Sequence, residues 1–554
     1  MRTPAFIALC LFSLLSTPIS AQQYTSPDPV IRAIWNEGMD NSQLPRLGQV
    51  LLDSIGPRLT GTPGIKSGNE WLVKTYTSWG VTARNERYGT WVDWQRGISH
   101  VDLLTPRVRS LEGGLLAWSP GTGGKDVSGP VVVLPEVADS AAFEAWLPQA
   151  KGKFVMISFA EPTCRPNEQW EALGAPGSFQ RMDSLRTVAR TAWTERVRRT
   201  GLVTPSGLGA GRLGRRIGEA GALGVITLRW DNNGWGTRRI FGDLRQVVPS
   251  FDLSCEDYGL VFRLAERNQG PTLRLRAESQ MRGEQPVFNT IAEVKGSEKP
   301  NEYVMMSAHF DSWDGSSGAT DNGTGTLVML EAMRLLRKAY PNPKRTIIVG
   351  HWSSEEQGLN GSRAFAEDHP EIVKGLQALF NQDNGTGRIQ SLAASGLIAA
   401  GGNLALWLAK IPNELTGEIR LSVPGAPGGG GSDNASFVCY GAPAFSLGAA
   451  DWGYGPYTWH TNRDTYDKIV FEDLMKTATL TAMLVYLASE DPQTVSREQR
   501  TFDVGTSPAA DALGRGGRGG RGGGRGGGGG GAGRGPASWP ACTAPLRMSS
   551  AYNR

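Results

Sequence analysis

Histidine and cysteine are both scarce in this chain of 554 residues, which contains five of each. Four cysteines lie beyond the N-terminal leader, and their wide, unmatched spacing argues against a zinc cluster built from thiolates. They are Cys164, Cys255, Cys439 and Cys542. An oxidising compartment permits disulfides, but four cysteines allow three pairings and the sequence does not choose among them.

The body of the chain also lacks a basic field and a long apolar run. The formal net charge is +4, but without Arg2 and the five arginines between Gly514 and Gly535 it is about −2. No nucleic-acid partner is therefore expected. Beyond the leader, no segment approaches the roughly 20 apolar residues that cross a bilayer, so no transmembrane segment is expected either.

The two ends differ from the rest of the chain in composition. Residues 1–21 combine one positive charge, an apolar stretch and the small residues Ser20 and Ala21 at the exit, which is the pattern of a cleaved signal peptide. We therefore expect a secreted or periplasmic protein. Residues 506–554 include 16 glycines between Gly514 and Gly535, which predicts a disordered Gly/Arg-rich tail.

Three folded segments are predicted between these ends. Residues 22–111 include a helix, a turn and a second helix, whereas residues 112–285 contain short β-branched runs separated by glycine and proline, typical of a separate β-rich module. Residues 286–495 alternate strands with helices. This pattern predicts an α/β fold with a mixed, mostly parallel sheet sandwiched by helices, into which the β-rich module is inserted.

The predicted elements of the third segment can be placed individually. Its strands are Tyr303 to Ala308, Thr346 to His351, Leu376 to Gln382, Ile419 to Val423 and Ala444 to Leu447, and its helices include Gly325 to Ala339 and Phe471 to Leu487. Parallel strands of an open sheet place ligand sites at their carboxyl ends. Polar residues that directly follow these strands are therefore candidates for a site.

Two histidines and several carboxylates occupy such positions. They are His309, Asp321, Glu355, Glu356, Asp383 and His460. His309 and Asp383 end predicted strands, Asp321 precedes a helix, and His460 lies in a loop. Imidazoles combined with carboxylates suit borderline-hard divalent ions such as zinc.

A pair of Zn²⁺ ions accounts for these ligands if one carboxylate bridges. One ion is then held by His309, Asp321 and Asp383, and the other by Asp321, Glu356 and His460. Two ions roughly 3.5 to 4 Å apart can generate a hydroxide near neutral pH and polarise a carbonyl group.

Two further acidic residues receive roles beside the ions. Glu355 is adjacent to a ligand but spare, and it is the candidate general base that takes a proton from water and returns it to the leaving amine. Asp311 lies two residues after His309 and is expected to accept the second ring N–H of that histidine, which fixes its tautomer.

The motifs that carry these residues occur in a specific order. Residues 289–297, 308–314, 319–325, 354–359, 382–385 and 431–434, followed by His460 with Asp464, resemble the di-zinc exopeptidase family of bacterial aminopeptidases and animal carboxypeptidase Q. The resemblance implies the zinc exopeptidase fold and the same five metal positions, with Glu355 as general base. Residues 55–61 and 94–97 resemble the carboxypeptidase Q branch, which implies that residues 112–285 are a protease-associated (PA) domain.

The resemblance implies a zinc-dependent exopeptidase acting on the ends of short peptides. Aminopeptidase or dipeptidase action is preferred because a carboxylate beside the metals can hold a substrate ammonium group. A carboxypeptidase of the carboxypeptidase Q type is the alternative, and a metal-free receptor or scaffold is the alternative of another class. A single-zinc glutaminyl cyclase should lack the insert, and a large glutamate carboxypeptidase needs a further helical domain. Side-chain preference and formation of a homodimer are left open.

Overall fold

The structure, a computed structural model, describes residues 26–202, 210–242, 244–427, 431–501 and 539–552. The signal peptide predicted over residues 1–21 lies outside these ranges. Within them, no helix has the length and apolar character that a membrane crossing requires.

The described chain begins with three helices and a long strand. These elements are α1 (Pro29–Asp40), α2 (Leu44–Gln49), α3 (Pro63–Ser78) and β1 (Thr82–Thr105). The carboxylate of Asp28 caps α1 by accepting the N–H of Val30 at 2.8 Å. Pro29 follows at the first helical position, where a backbone N–H has no partner within the helix.

Residues 106–271, here termed the insert, form a second α/β module. Its elements are β2 (Arg109–Leu111), β3 (Gly113–Leu115), β4 (Val127–Val133), α4 (Ser140–Trp146), β5 (Phe154–Met156), α5 (Asn167–Leu173), α6 (Ser178–Arg199), α7 (Ala210–Glu219), β6 (Gly224–Thr227), β7 (Ser250–Leu253) and α8 (Cys255–Glu266). Strands β4 to β7 are parallel neighbours. The predicted module thus contains helices as well as short strands, because parallel strands need crossovers and helices supply them.

The remaining elements form the sequence segment that carries the candidate ligands. They are β8 (Thr272–Val294), β9 (Lys299–His309), α9 (Thr324–Ala339), β10 (Arg345–Trp352), α10 (Asn360–Asp368), α11 (Pro370–Gly375), β11 (Leu376–Asn381), β12 (Ile389–Ala393), α12 (Ala400–Leu408), α13 (Asn413–Thr416), β13 (Arg420–Ser422), α14 (Ala435–Val438), β14 (Ala444–Ala449), α15 (Phe471–Glu490) and α16 (Ser549–Tyr552). The strands and helices predicted for this segment coincide with β9, β10, β11, β13, β14, α9 and α15.

The strands join into one mixed sheet with helices on both faces. The order is β13-β12-β14-β11-β9-β10-β8-β4-β5-β6-β7-β3, and β1 pairs with β8 and β2. In β9, Val304 and Met306 pack in the cluster that contains α9 and α15, whereas Met305 packs with Phe365 of α10 on the other face. Because both faces are covered, β10 and β11 are buried along their whole length, and the predicted sandwiched α/β sheet is confirmed.

A two-stranded ribbon joins the insert to the rest of the sheet. Strands β1 and β8 pair antiparallel from Thr82 opposite Glu293 to Thr105 opposite Thr272. Strand β8 then pairs with β10 at one end and with β4 at the other. The domain boundary predicted at residue 285 therefore falls inside a strand, and the two modules share a continuous sheet.

The C-terminal segment docks on the protein. Residues 539–552 are described, and the indole of Trp539 donates a hydrogen bond to the carbonyl of Val438 at 2.9 Å. Disulfides join Cys439 to Cys542 and Cys164 to Cys255. The prediction of a disordered tail over residues 506–554 is therefore wrong for its last part, because an indole and a cysteine follow the Gly/Arg stretch and fasten the chain end.

Candidate metal centre

The candidate ligands converge at the carboxyl ends of three neighbouring strands. His309 is the last residue of β9, residues 355–356 follow β10, and Asp383 follows β11. These strands are parallel and adjacent, so their ends meet at one edge of the sheet. Asp321 reaches the same edge from the turn before α9, and His460 reaches it from the loop between β14 and α15.

Asp321 lies between the two histidines and faces each with a different oxygen. Its Oδ1 lies 3.3 Å from Nε2 of His309, and its Oδ2 lies 3.1 Å from Nε2 of His460. Nε2 of His309 also lies 3.1 Å from Oδ1 of Asp383, and Nε2 of His460 lies 2.8 Å from Oε2 of Glu356. This arrangement is the one that a carboxylate bridging two ions requires.

Two groups of three donors follow from these contacts. Asp321, Glu356 and His460 each place a ligand atom within 4.8 Å of the other two. On the other side, His309 and Asp383 satisfy the same criterion with Glu355. Glu355 therefore lies as near to His309 and Asp383 as a ligand would, while Asp321 also contacts His309, so distance alone does not separate a ligand from a general base.

The site concentrates negative charge on side chains that are largely buried. Burial raises the pKa of Glu356 to about 7 and raises that of Glu355 well above its ordinary value, and neighbouring carboxylates add to both shifts. Burial opposes protonation of His460, but Glu356 and Asp321 together raise its pKa to about 10. Positive charge would therefore stabilise the ionised carboxylates of the cluster, and divalent cations supply that charge without protonating the imidazoles.

The donor chemistry fits such cations. Among the described residues, Oδ2 of Asp321 and Oε1 of Glu356 are buried and have no hydrogen-bond partner. Buried carboxylate oxygens are normally satisfied, and leaving them unpaired costs about 1–3 kcal/mol or more each. A cation held by Asp321, Glu356 and His460, with a second held by His309, Asp321 and Asp383, would satisfy them.

Asp311 supports the centre differently from our expectation. Nδ1 of His309 lies 3.0 Å from the main-chain oxygen of Asp311 but 3.7 Å from its carboxylate. The carboxylate instead accepts the backbone N–H groups of Glu355 at 3.0 Å and Glu356 at 3.3 Å. The main chain of Asp311 therefore orients the imidazole, and its side chain fixes the loop that carries both glutamates.

Two supporting residues were not identified from the sequence. The carboxylate of Asp464 accepts the backbone N–H groups of Thr320 at 2.7 Å and Asp321 at 3.0 Å, which fixes the bridging aspartate. The indole of Trp313 donates to Oε2 of Glu356 at 2.9 Å. Asp464 and Trp313 both lie in the motifs that carry the family resemblance, but the sequence assigned neither a role.

The insert supplies part of the wall of the site. A small cavity beside the candidate ligands is lined by Asp321, Glu356 and His460 together with Ile240 and Trp313. The ring of Phe241 packs edge-on to that of His460, with centroids 5.2 Å apart. Residues 240–241 belong to the insert, so the insert contributes to the lining of the site beside His460.

Comparison with known proteins agrees with this geometry. Residues 289–485 match Peptidase family M28. Carboxypeptidase Q of Rattus norvegicus is 23% identical over 480 residues, which cover 86% of this chain and 92% of the rat protein. Carboxypeptidase Q of Xenopus laevis is 26% identical over 68% of this chain and 71% of its own length.

Solved structures with the same fold cover most of the chain. A peptidase M28 precursor from Shewanella amazonensis superimposes with a TM-score of 0.61 at 23% identity, covering 84% of this chain and 97% of its own. A zinc aminopeptidase from Bacillus subtilis superimposes with a TM-score of 0.52 at 20% identity, covering 82% and 96%. The fold therefore extends across both modules.

Proposed function

We propose that the protein is an exported exopeptidase that uses two zinc ions to hydrolyse terminal bonds of short peptides, and the proposal starts from the match of residues 289–485 to Peptidase family M28. One observation carries the proposal: Asp321 turns one carboxylate oxygen toward His309 and the other toward His460. A protein that had lost its metals would have no reason to retain this arrangement of five ligands. The metal-free receptor or scaffold is therefore the weaker hypothesis.

The roles of the residues follow from the geometry. Zinc bound here would polarise the scissile carbonyl and acidify a water molecule. Asp321 is assigned as the bridge because its two oxygens face both histidines, which leaves Glu355 free for proton transfer. Glu355 takes a proton from the attacking water at a carboxylate oxygen and gives it to the leaving amine nitrogen.

The lining beside His460 is consistent with exopeptidase action on short substrates. Ile240 and Trp313 line the site there. We infer that they form a wall that limits how far a substrate extends past His460. We infer an aminopeptidase or dipeptidase, because a carboxylate beside the metals can hold a terminal ammonium group.

Carboxypeptidase action is the second candidate. It is favoured by the similarity to carboxypeptidase Q over 86% of this chain. The insert, which we propose to be a PA-like domain, lies within the region that this similarity spans. The two candidates differ in the terminus that the substrate must present.

A panel of blocked peptides tests the function directly. Mature protein loaded with zinc is given di- and tripeptides that are free, N-acetylated or C-amidated, and the products are identified by mass spectrometry. We expect cleavage of free and amidated peptides, none of acetylated peptides, and loss of activity with a chelator. Cleavage that requires a free carboxylate would establish the carboxypeptidase instead. A folded, zinc-loaded sample that cleaves none of them would contradict the peptidase assignment.

Substitution of Ile240 tests whether the wall beside His460 limits substrate length. In Ile240→Gly the wall loses its side chain, so the rate on a hexapeptide relative to a dipeptide is expected to rise by about tenfold, a change of roughly 1.4 kcal/mol. Ile240→Leu preserves the volume and serves as the matched control. Relative rates that stay the same in both variants would show that this wall does not set substrate length.

Export is proposed from the leader and supported by the disulfides. Pairs Cys164–Cys255 and Cys439–Cys542 suit an oxidising compartment outside the cytosol.

A further inference from the structure

Backbone hydrogen bonds join the loop that carries His460 to the insert. The backbone N–H of Ile240 donates to the carbonyl of His460 at 2.7 Å, and the N–H of Asn462 donates to the carbonyl of Arg238 at 3.0 Å. Arg239 and Thr461 form an antiparallel bridge between these bonds. A short ladder therefore runs between modules more than 200 residues apart in sequence.

The side chain of Arg239 reaches further into the same loop. Its Nη1 donates to the carbonyl of Trp459 at 2.7 Å, and its Nη2 donates to that of Gly455 at 2.9 Å. The guanidinium also lies over the indole of Trp459, 4.8 Å from its centroid. That indole stacks on the imidazole of His460 with a centroid separation of 3.7 Å. Arg239 thus holds the turn before His460 at two carbonyls and supports the ring that packs on it.

The two histidines of the metal centre are oriented by different means. Nδ1 of His309 has the main-chain oxygen of Asp311 at 3.0 Å, as metal-ligating histidines usually require. Nδ1 of His460 is buried and has no hydrogen-bond partner within the described part of the chain. The backbone of His460 is also left-handed, with φ of 53°, which an ordinary side chain adopts only when its surroundings hold it. Packing and the hydrogen bonds from the insert must therefore orient the imidazole of His460, as the hydrogen bond to Asp311 orients that of His309.

We propose that Arg239 is a positioning residue for His460, and that the insert thereby sets the zinc affinity of the His460 side of the centre without affecting the His309 side. This inference rests on the proposed two-zinc function. Its consequence is that docking of the insert and occupancy of one metal position are linked, so each stabilises the other.

Calorimetric titration of metal-free, full-length mature protein with zinc tests the proposal. Wild type is expected to bind two ions. In Arg239→Gln, one of the two affinities is expected to fall by about 10- to 100-fold, as for other groups that orient a metal ligand, while the other is unchanged. Arg239→Lys retains the charge but cannot reach both carbonyls, so a smaller loss is expected. Circular dichroism checks that each variant is folded.

Arg238→Gln is the matched control. Its guanidinium bonds to Asp252 within the insert at 2.5 Å and not to the His460 loop, so both zinc affinities should stay at wild-type values. The rate of peptide hydrolysis by Arg239→Gln should recover to within about twofold of wild type at saturating zinc and be reduced at limiting zinc.

Several outcomes would overturn the inference. Superimposable titrations of wild type and Arg239→Gln would remove it, and so would equal weakening of both positions, since that points to a general loss of structure. If Arg239→Gln does not fold, unchanged zinc affinities in Arg239→Lys would overturn the inference. Wild-type protein that binds zinc at two positions but cleaves no peptide would contradict the proposed function alone, and binding of no zinc would contradict both.

Discussion

Replacement of Glu355 by glutamine is expected to lower kcat/KM for a dipeptide by about 10²- to 10⁴-fold while leaving two zinc ions bound per chain. Glutamine has nearly the same shape but cannot accept a proton, so proton transfer from water to the leaving amine is lost. Zinc content is measured by atomic emission on the purified protein, and turnover is measured on the same sample.

The neighbouring Glu356→Gln provides the matched comparison. Glu356 contacts His460 with Oε2 at 2.8 Å and is assigned as a ligand, so this variant should bind one zinc ion more weakly. The comparison is needed because Glu355 also places an oxygen within 4.8 Å of donor atoms of His309 and Asp383. Loss of a zinc ion in Glu355→Gln would show that Glu355 is a ligand and that the proton-transfer role belongs elsewhere.

Replacement of His460 by alanine is the second change with a large expected effect. The variant loses the imidazole that lies 3.1 Å from Asp321 and 2.8 Å from Glu356, so zinc content should fall from two ions to one. Activity should fall by about 100-fold or more, because the remaining ion acts without its partner. Zinc content and hydrolysis of a dipeptide are measured as for the glutamate variants.

Controls separate this loss from a general effect of removing a histidine. His100 is exposed in β1, and His100→Ala should retain two zinc ions and wild-type activity. Two bound ions in His460→Ala would exclude His460 from the ligand set, and full activity with one ion would show that the second has no catalytic role.

The core of the candidate site was predictable because its ligands are tied to strand ends. His309, Asp383 and the pair 355–356 each follow an apolar run long enough to be a buried strand, and parallel strands end at the same edge of the sheet. A role for Asp311 as the acceptor of the second ring N–H of His309 was also predicted, and the structure assigns it to the main-chain oxygen rather than the carboxylate. A two-residue spacing does not determine whether the main-chain or the side-chain oxygen meets the imidazole.

The insert was less predictable for physical reasons. Its strands are mostly three or four residues long, and the 22-residue helix α6 buries only Met182 and Arg186 among its side chains, so its periodicity is weak. The contact between Ile240 and His460 forms only because the ribbon of β1 and β8 joins the insert to the rest of the sheet. The sequence around either residue therefore does not reveal it. For the same reason, the sequence left the disulfide pairing and the role of Arg239 undetermined.

The disulfide between Cys439 and Cys542 has a consequence for covalent topology. With 103 residues separating the two cysteines, it closes a ring that contains both His460 and the whole Gly/Arg stretch. A single cut of the backbone in that stretch leaves the docked C-terminal segment attached through the disulfide. Release of the segment also requires reduction of the disulfide. Closing a ring of this size restricts the unfolded chain by roughly 4 to 5 kcal/mol in the chain-entropy treatment. The disulfide thus places the Gly/Arg stretch, whose composition cannot form a core, in the same covalent ring as the candidate ligand His460.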